Sequence, residues 1–178
     1  MSIPCLFVSY HPTGSGIGQA LLDAAEKEAR AQGKAGLTLI AFYNDFWFMP
    51  AKYFEKSGFS VIERQGERAI LWKVWSGRPP KPVFFQPSFT TEVIPGKVVL
   101  DLFWMSFCGA MDREVVAQVA REFGDAVVVR EHCTDDREVL LSHQINRGLF
   151  VNGVRTEWDF PDPPRGVRSA IQRALSLR

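Results

Sequence analysis

The chain has 178 residues, 46% hydrophobic and 23% charged, and its 21 basic against 20 acidic residues leave a net charge of +1. That balance supplies neither a basic footprint for nucleic acid nor a polybasic membrane anchor. No apolar run approaches the roughly 18 residues of a membrane span, the first ten residues carry no positive n-region, and the three cysteines, Cys5, Cys108 and Cys133, stand too far apart for a disulfide framework, so a cytoplasmic protein is expected.

In chain order, "PCLFVSY" reads as a strand and "HPTGSGIGQALLDAAEKEA" as a glycine-rich bend running into a helix. The helix, over residues 17–32, places Ile17, Leu21, Ala24, Ala25 and Ala29 on one face and stops at Gly33. "LTLIAFY" is a continuous apolar run, expected as a strand buried on both faces beside a parallel neighbour. "PAKYFEKSGF" predicts a short helix opened by Pro50 and closed at Gly58, and "FSVIERQGERAILWKVW" two strands around Gln65-Gly66. "SGRPPKPVFFQP" then places four prolines between positions 79 and 87 without periodicity, which marks an extended connector. Beyond it come strand "KVVLDLF", helix "GAMDREVVAQVAREFG", strand "AVVVRE", short helix "TDDREVLLSH", hairpin "GLFVNGVRTEWDF" around Asn152-Gly153, and helix "PPRGVRSAIQRAL". The division expected is 1–75, a connector over 76–95, and 96–178, with an α/β (α+β) fold class.

The glycine bend is the first candidate site. Three glycines in five positions allow left-handed backbone and a close main-chain approach, and the following helix turns its unpaired N–H groups and positive dipole end toward the bend. A P-loop requires Gly-Lys-Ser/Thr, but Gly18 is followed by Gln19 and Ala20. A dinucleotide fingerprint requires its glycines directly after the strand and an acid closing the next one, and Asp45 lies too far on.

"FVSYHPTGSGIGQALLDAAEKEARAQG", "LTLIAF" and "YFEKSGFSVIER" together resemble the GNAT acyltransferases, in which a central strand feeds a bend of the form Gln/Arg-x-x-Gly-x-Gly and then a long helix. Gly16 and Gly18 match the motif's glycines and Thr13 stands at its Gln/Arg position. The resemblance covers about residues 3–75. It implies acetyl-CoA as cosubstrate, bound by Val8, Thr13, Gly14, Ser15, Gly16, Ile17 and Gly18, with the pyrophosphate held by main-chain N–H groups from Gly14 to Gly18 and the thioester carbonyl polarised by the strand at residues 7–9, and a small-molecule or peptide amine as acceptor. The family's general acid is a tyrosine just before the Glu55-Lys56 pair; here that position is Phe54, and Tyr53, one residue earlier and about 100° round a helix, is the candidate. The family's preceding strands and helices, which build the acceptor site, are missing ahead of "PCLFVSY", so a truncated transferase is expected.

"VVLDLFWMSFCGAMDREVVAQVA" resembles the opening of a thioredoxin-like domain, with Cys108 at the attacking position, Gly109 after it, and Met111 in place of the resolving cysteine. The two-part layout is similar to GNAT proteins with a YoaP-like extension. Cys108, at a helix N-terminus, is a candidate reactive thiol, and a reversible Cys108–Cys133 disulfide is the pairing considered. The spacings of His132, Cys133 and His143 match no zinc signature, so no metal is expected. The competing expectation for the whole chain is a non-catalytic thioredoxin-like binding module with a vestigial cofactor arm.

Overall fold

The computed structural model describes residues 1–8, 14–44, 48–107, 110–156 and 162–177. The chain divides into two compact units, Met1–Phe84 and Phe85–Arg178. Among the described residues no helix is long and apolar enough to cross a membrane.

The first unit contains β1 (Ser2–Ile3), α1 (Ile17–Ala31), β2 (Gly36–Phe42), α2 (Ala51–Lys56), β3 (Ser60–Gln65) and β4 (Arg68–Val74), in one sheet of order β1-β2-β4-β3. β1 runs parallel to β2, while β4 is antiparallel to both its neighbours. The strand expected through "PCLFVSY" is corrected: pairing ends with Ile3 opposite Leu39, and residues 4–8 form no strand. Pro4 has no N–H for a ladder, and Met49 occupies the place such a strand would take. Met49 is 1% exposed; its carbonyl accepts from Phe42 N–H at 2.9 Å and its sulfur from Leu6 N–H at 3.2 Å.

α1 and α2 both pack on one face of this sheet, where Leu22, Ala29, Ala51 and Phe54 meet Leu37, Leu39, Ala41 and Leu71. Two expectations change as a result. β2 alternates instead of being buried on both faces, and Ile40 on its other face is 44% exposed; a continuous apolar run does not by itself reveal whether its second face is covered. The inward line of α1 is Gly18, Leu22, Ala25 and Ala29, so Leu21, expected inside, is 46% exposed. Spacings of four, three and four residues make one helical stripe, and the contact at Gly18 described below fixes its rotation.

Glu26 ties α1 to β4, accepting from Lys73 Nζ at 2.7 Å and from Arg30 at 2.8 Å. The Lys73 hydrogen bond, then that of Arg30, holds its carboxyl below the ordinary value of 4.5. A lowered carboxylate contributes stability that is complete above the unfolded value and is lost as pH falls below it toward the folded one. Glu26→Gln is therefore expected to flatten the acid limb of stability below about pH 4.5, as read by urea midpoints across pH.

The second unit contains β5 (Val98–Trp104), α3 (Ala110–Arg121), β6 (Val127–Cys133), α4 (Arg137–His143), β7 (Gly148–Val151), β8 (Val154–Thr156) and α5 (Pro163–Ser176), with sheet order β6-β5-β7-β8. β5 and β6 are parallel; β7 is antiparallel to β5 and β8. On one face Val98, Leu100, Leu102 and Leu149 pack against Val116 and Val119 of α3 and Val167 and Ile171 of α5. Asn152 (φ 48°) and Gly153 (φ 82°) make the expected hairpin turn, and the Asn152 side chain accepts from Val99 N–H at 2.8 Å. Asp136 caps α4 by accepting Glu138 N–H, and Asp162 caps α5 by accepting Arg165 N–H ahead of two prolines.

Residues 78–94, inside the expected connector, form neither helix nor strand, yet both units use them. In the first unit Phe84 is 7% exposed, with its N–H on Glu63 and the Arg68 guanidinium over its ring. In the second, a strap over residues 85–91 crosses the sheet face opposite α3 and α5. Ser88 N–H donates to the His143 carbonyl, Phe89 packs on Phe103 and Phe150, and Thr91 Oγ1 donates to Asp101 at 2.8 Å.

Candidate functional site

Gly14 (φ 91°) and Gly16 (φ 76°) both sit in the left-handed region, and Gly16 is the N-cap of the 15-residue α1. Gly16 has no side chain with which to cap this helix, and its first turn carries no acid. A Cβ at Gly14 or Gly16 would meet nothing within 4 Å, so open space lies over both positions. Ser15 is exposed, Ile17 and Val8 are partly buried, and Thr13 lies outside the described residues. An exposed helix start with left-handed glycines before it offers N–H groups and dipole to an anion.

Gly18 has a different job. A Cβ there would stand 3.3 Å from the Tyr53 hydroxyl oxygen, so the missing side chain is what lets the Tyr53 ring lie against the first turn of α1. Phe54, at the family's tyrosine position, is 0% exposed in the core, and Tyr53 packs on it edge to face at 5.1 Å. The turn of about 100° between neighbouring helical residues thus sends Phe54 into the core and Tyr53 toward α1. The structure brings Tyr53 and the glycine bend together.

The Tyr53 hydroxyl is buried and makes no hydrogen bond to the described residues. Burial, and next the Asp23 charge, push its pKa above the ordinary value of 10, with the Ser57 hydroxyl acting the other way. Tyr53 therefore keeps its proton at neutral pH. Ser57 Oγ lies 3.0 Å from the Tyr53 carbonyl and 3.3 Å from Gln19 Oε1, which links α2 to the first turn of α1. An open groove of about 460 Å³ also runs along α1, lined by Asp23, Glu26, Lys27, Arg30 and Lys73. Its mixed charges are largely satisfied by one another, and it includes none of the glycines.

In the second unit Cys108 and Gly109 lie outside the described residues. The bend before them is held by Ser106 N–H donating to Asp135 at 3.0 Å and Thr134 N–H to the Trp104 carbonyl at 2.8 Å. The Ser106 bonds hold the Asp135 carboxyl below its ordinary value. Cys133 stands opposite Trp104 across the parallel pair, with its thiol 3.9 Å from Asp135 Oδ2. His132 and His143 do come together, their rings 5.7 Å apart, while strand alternation turns Cys133 to the other face from its neighbour His132. Asp135, Asp136 and Glu138 are exposed.

Sequence reasoning missed Met49 and the separate role of Gly18. The signal for Gly18 was its place at the head of the stripe that continues to Leu22, Ala25 and Ala29; a lone methionine in an aromatic loop carries no such signal. Comparison with known protein families, curated proteins and solved structures finds no match.

Proposed function

We propose that the first unit binds an acyl-coenzyme A at the glycine bend and belongs to a GNAT-type N-acetyltransferase acting on a small-molecule or peptide amine. The observation that carries this reading is the buried Tyr53 hydroxyl set against the first turn of α1, behind the two left-handed glycines. A pyrophosphate would be held by main-chain N–H groups from Gly14 to Gly18, each charge-assisted bond contributing about 1.5–3 kcal/mol. The cosubstrate supplies an acyl thioester open to attack by an amine. The amine nitrogen bonds to the carbonyl carbon as the carbon–sulfur bond breaks, the Tyr53 hydroxyl gives its proton to the departing sulfur, and the proton the amine loses returns to the tyrosinate through solvent.

For the second unit, the order strand, helix, strand, helix, hairpin, helix supports a thioredoxin-like reading, with Cys108 as a lone reactive thiol. The shortness of β1 favours the rival for the chain as a whole, a binding module with a vestigial cofactor arm, because regular pairing ends at Ile3 and Met49 fills the space beyond. Calorimetric titration of the full chain with acetyl-CoA separates the two. Saturable heat with a raised melting temperature is expected, and neither effect at roughly millimolar ligand favours the rival.

A further inference from the structure

We propose that His132 and His143 form a site for a late first-row divalent cation, with Zn²⁺ the natural probe. The chain has three histidines, and residues 132 and 143 meet from different elements, the end of β6 and the end of α4. His132 Nε2 lies 3.0 Å from Oδ1 of Asp101, whose side chain is fully buried, and Oδ2 of the same carboxylate accepts from Thr91 at 2.8 Å. A carboxylate accepts, so the ring donates from Nε2 and Nδ1 is the nitrogen left for a ligand. An imidazole fixed by a carboxylate that is itself hydrogen-bonded is the outer-shell arrangement behind metal-ligating histidines.

His143 is in contact with the rings of Phe89, Phe103 and His132, and both imidazoles are partly exposed. A zinc–nitrogen bond of about 2.0–2.1 Å puts the ring centre on the order of 3 Å from the ion. Two rings 5.7 Å apart are then within reach of one cation. Among the described residues no group of three or more His, Cys, Asp or Glu converges, so the two imidazoles are the ligands proposed. Borderline imidazole donors select Zn²⁺, Cu²⁺ or Ni²⁺ over Mg²⁺ and Ca²⁺.

The test is titration of the full chain with zinc chloride, followed by calorimetry and by the imidazole nitrogen signals in NMR. Saturation at one ion per chain is expected, with the imidazole signals of His132 and His143 shifting together. His143→Phe keeps a ring in the cluster and is expected to lose about tenfold or more in affinity with little change in melting temperature. Cys133→Ser is expected to bind as the parent does. Failure to saturate at millimolar zinc, imidazole signals that do not move, or loss of binding in Cys133→Ser would each overturn the proposal. If His143→Phe fails to fold, the imidazole shifts of the parent protein decide alone.

Discussion

A fragment beginning at residue 96 is expected to lose most of the stability of one beginning at residue 85. The eleven residues between contain no helix or strand, but they carry Phe89 and Thr91. Phe89 covers Phe103 and Phe150, with ring centres at 4.9 and 5.5 Å. Losing a phenyl group from such a cluster costs about 3–5 kcal/mol. Thr91 is 8% exposed and donates to Asp101, which is 0% exposed. Removing a donor from a buried carboxylate costs about 1.5–3 kcal/mol more. Against a total of roughly 5–15 kcal/mol for a domain, the two losses are enough to leave the shorter fragment marginal. Urea melts of residues 85–178 and 96–178 are the check, with Phe89→Ala and Thr91→Val in the full chain to apportion the effect. Equally sharp transitions at the same midpoint in both fragments would sink this account of the strap.

Gly16→Val is expected to abolish acyl-CoA binding while leaving the first unit folded. At φ 76° a β-branched residue is strained, at a cost of roughly 1–2 kcal/mol. Among the described residues nothing lies within 4 Å of the new Cβ, so none of them adds a clash. The side chain would instead cover the main-chain N–H groups an anion must reach. Losing two charge-assisted hydrogen bonds at about 1.5–3 kcal/mol each weakens binding more than a hundredfold. Gly33→Val is the control, because Gly33 (φ 67°) is equally left-handed and equally open at the other end of α1. Both variants should melt slightly early, and only Gly16→Val should lose calorimetric heat with acetyl-CoA. If Gly33→Val loses binding to the same degree, the effect belongs to the stability of α1 and the bend is not the site.

Local chemistry made much of the fold legible in the sequence. Asn152-Gly153 specified a hairpin turn because both residues accept positive φ, and Gly66 and the closing Gly58 acted in the same way. The helix at residues 17–31 and those of the second unit followed from apolar period and from Asp and Pro at their starts. The glycine bend was visible as a candidate anion site for the same local reason: glycines at and just before a helix start permit left-handed backbone and close approach whatever surrounds them.

What the sequence by itself determined is therefore the bend and the elements that follow it, since these depend on residues within a few positions of one another. Which face of each element is covered was decided only by tertiary packing. α1 and α2 share one face of their sheet, which leaves Ile40 outside and turns α1 so that Leu22 replaces Leu21 in the core. Met49 took the place of a longer β1, and Gly18 proved to be a seat for Tyr53, because both depend on contacts across more than thirty residues of chain. The meeting of Asp101, His132, His143 and the strap at Phe89 is of the same kind. Periodicity records where a side chain points along its own element, whereas its neighbour from another element is set by how the faces pack.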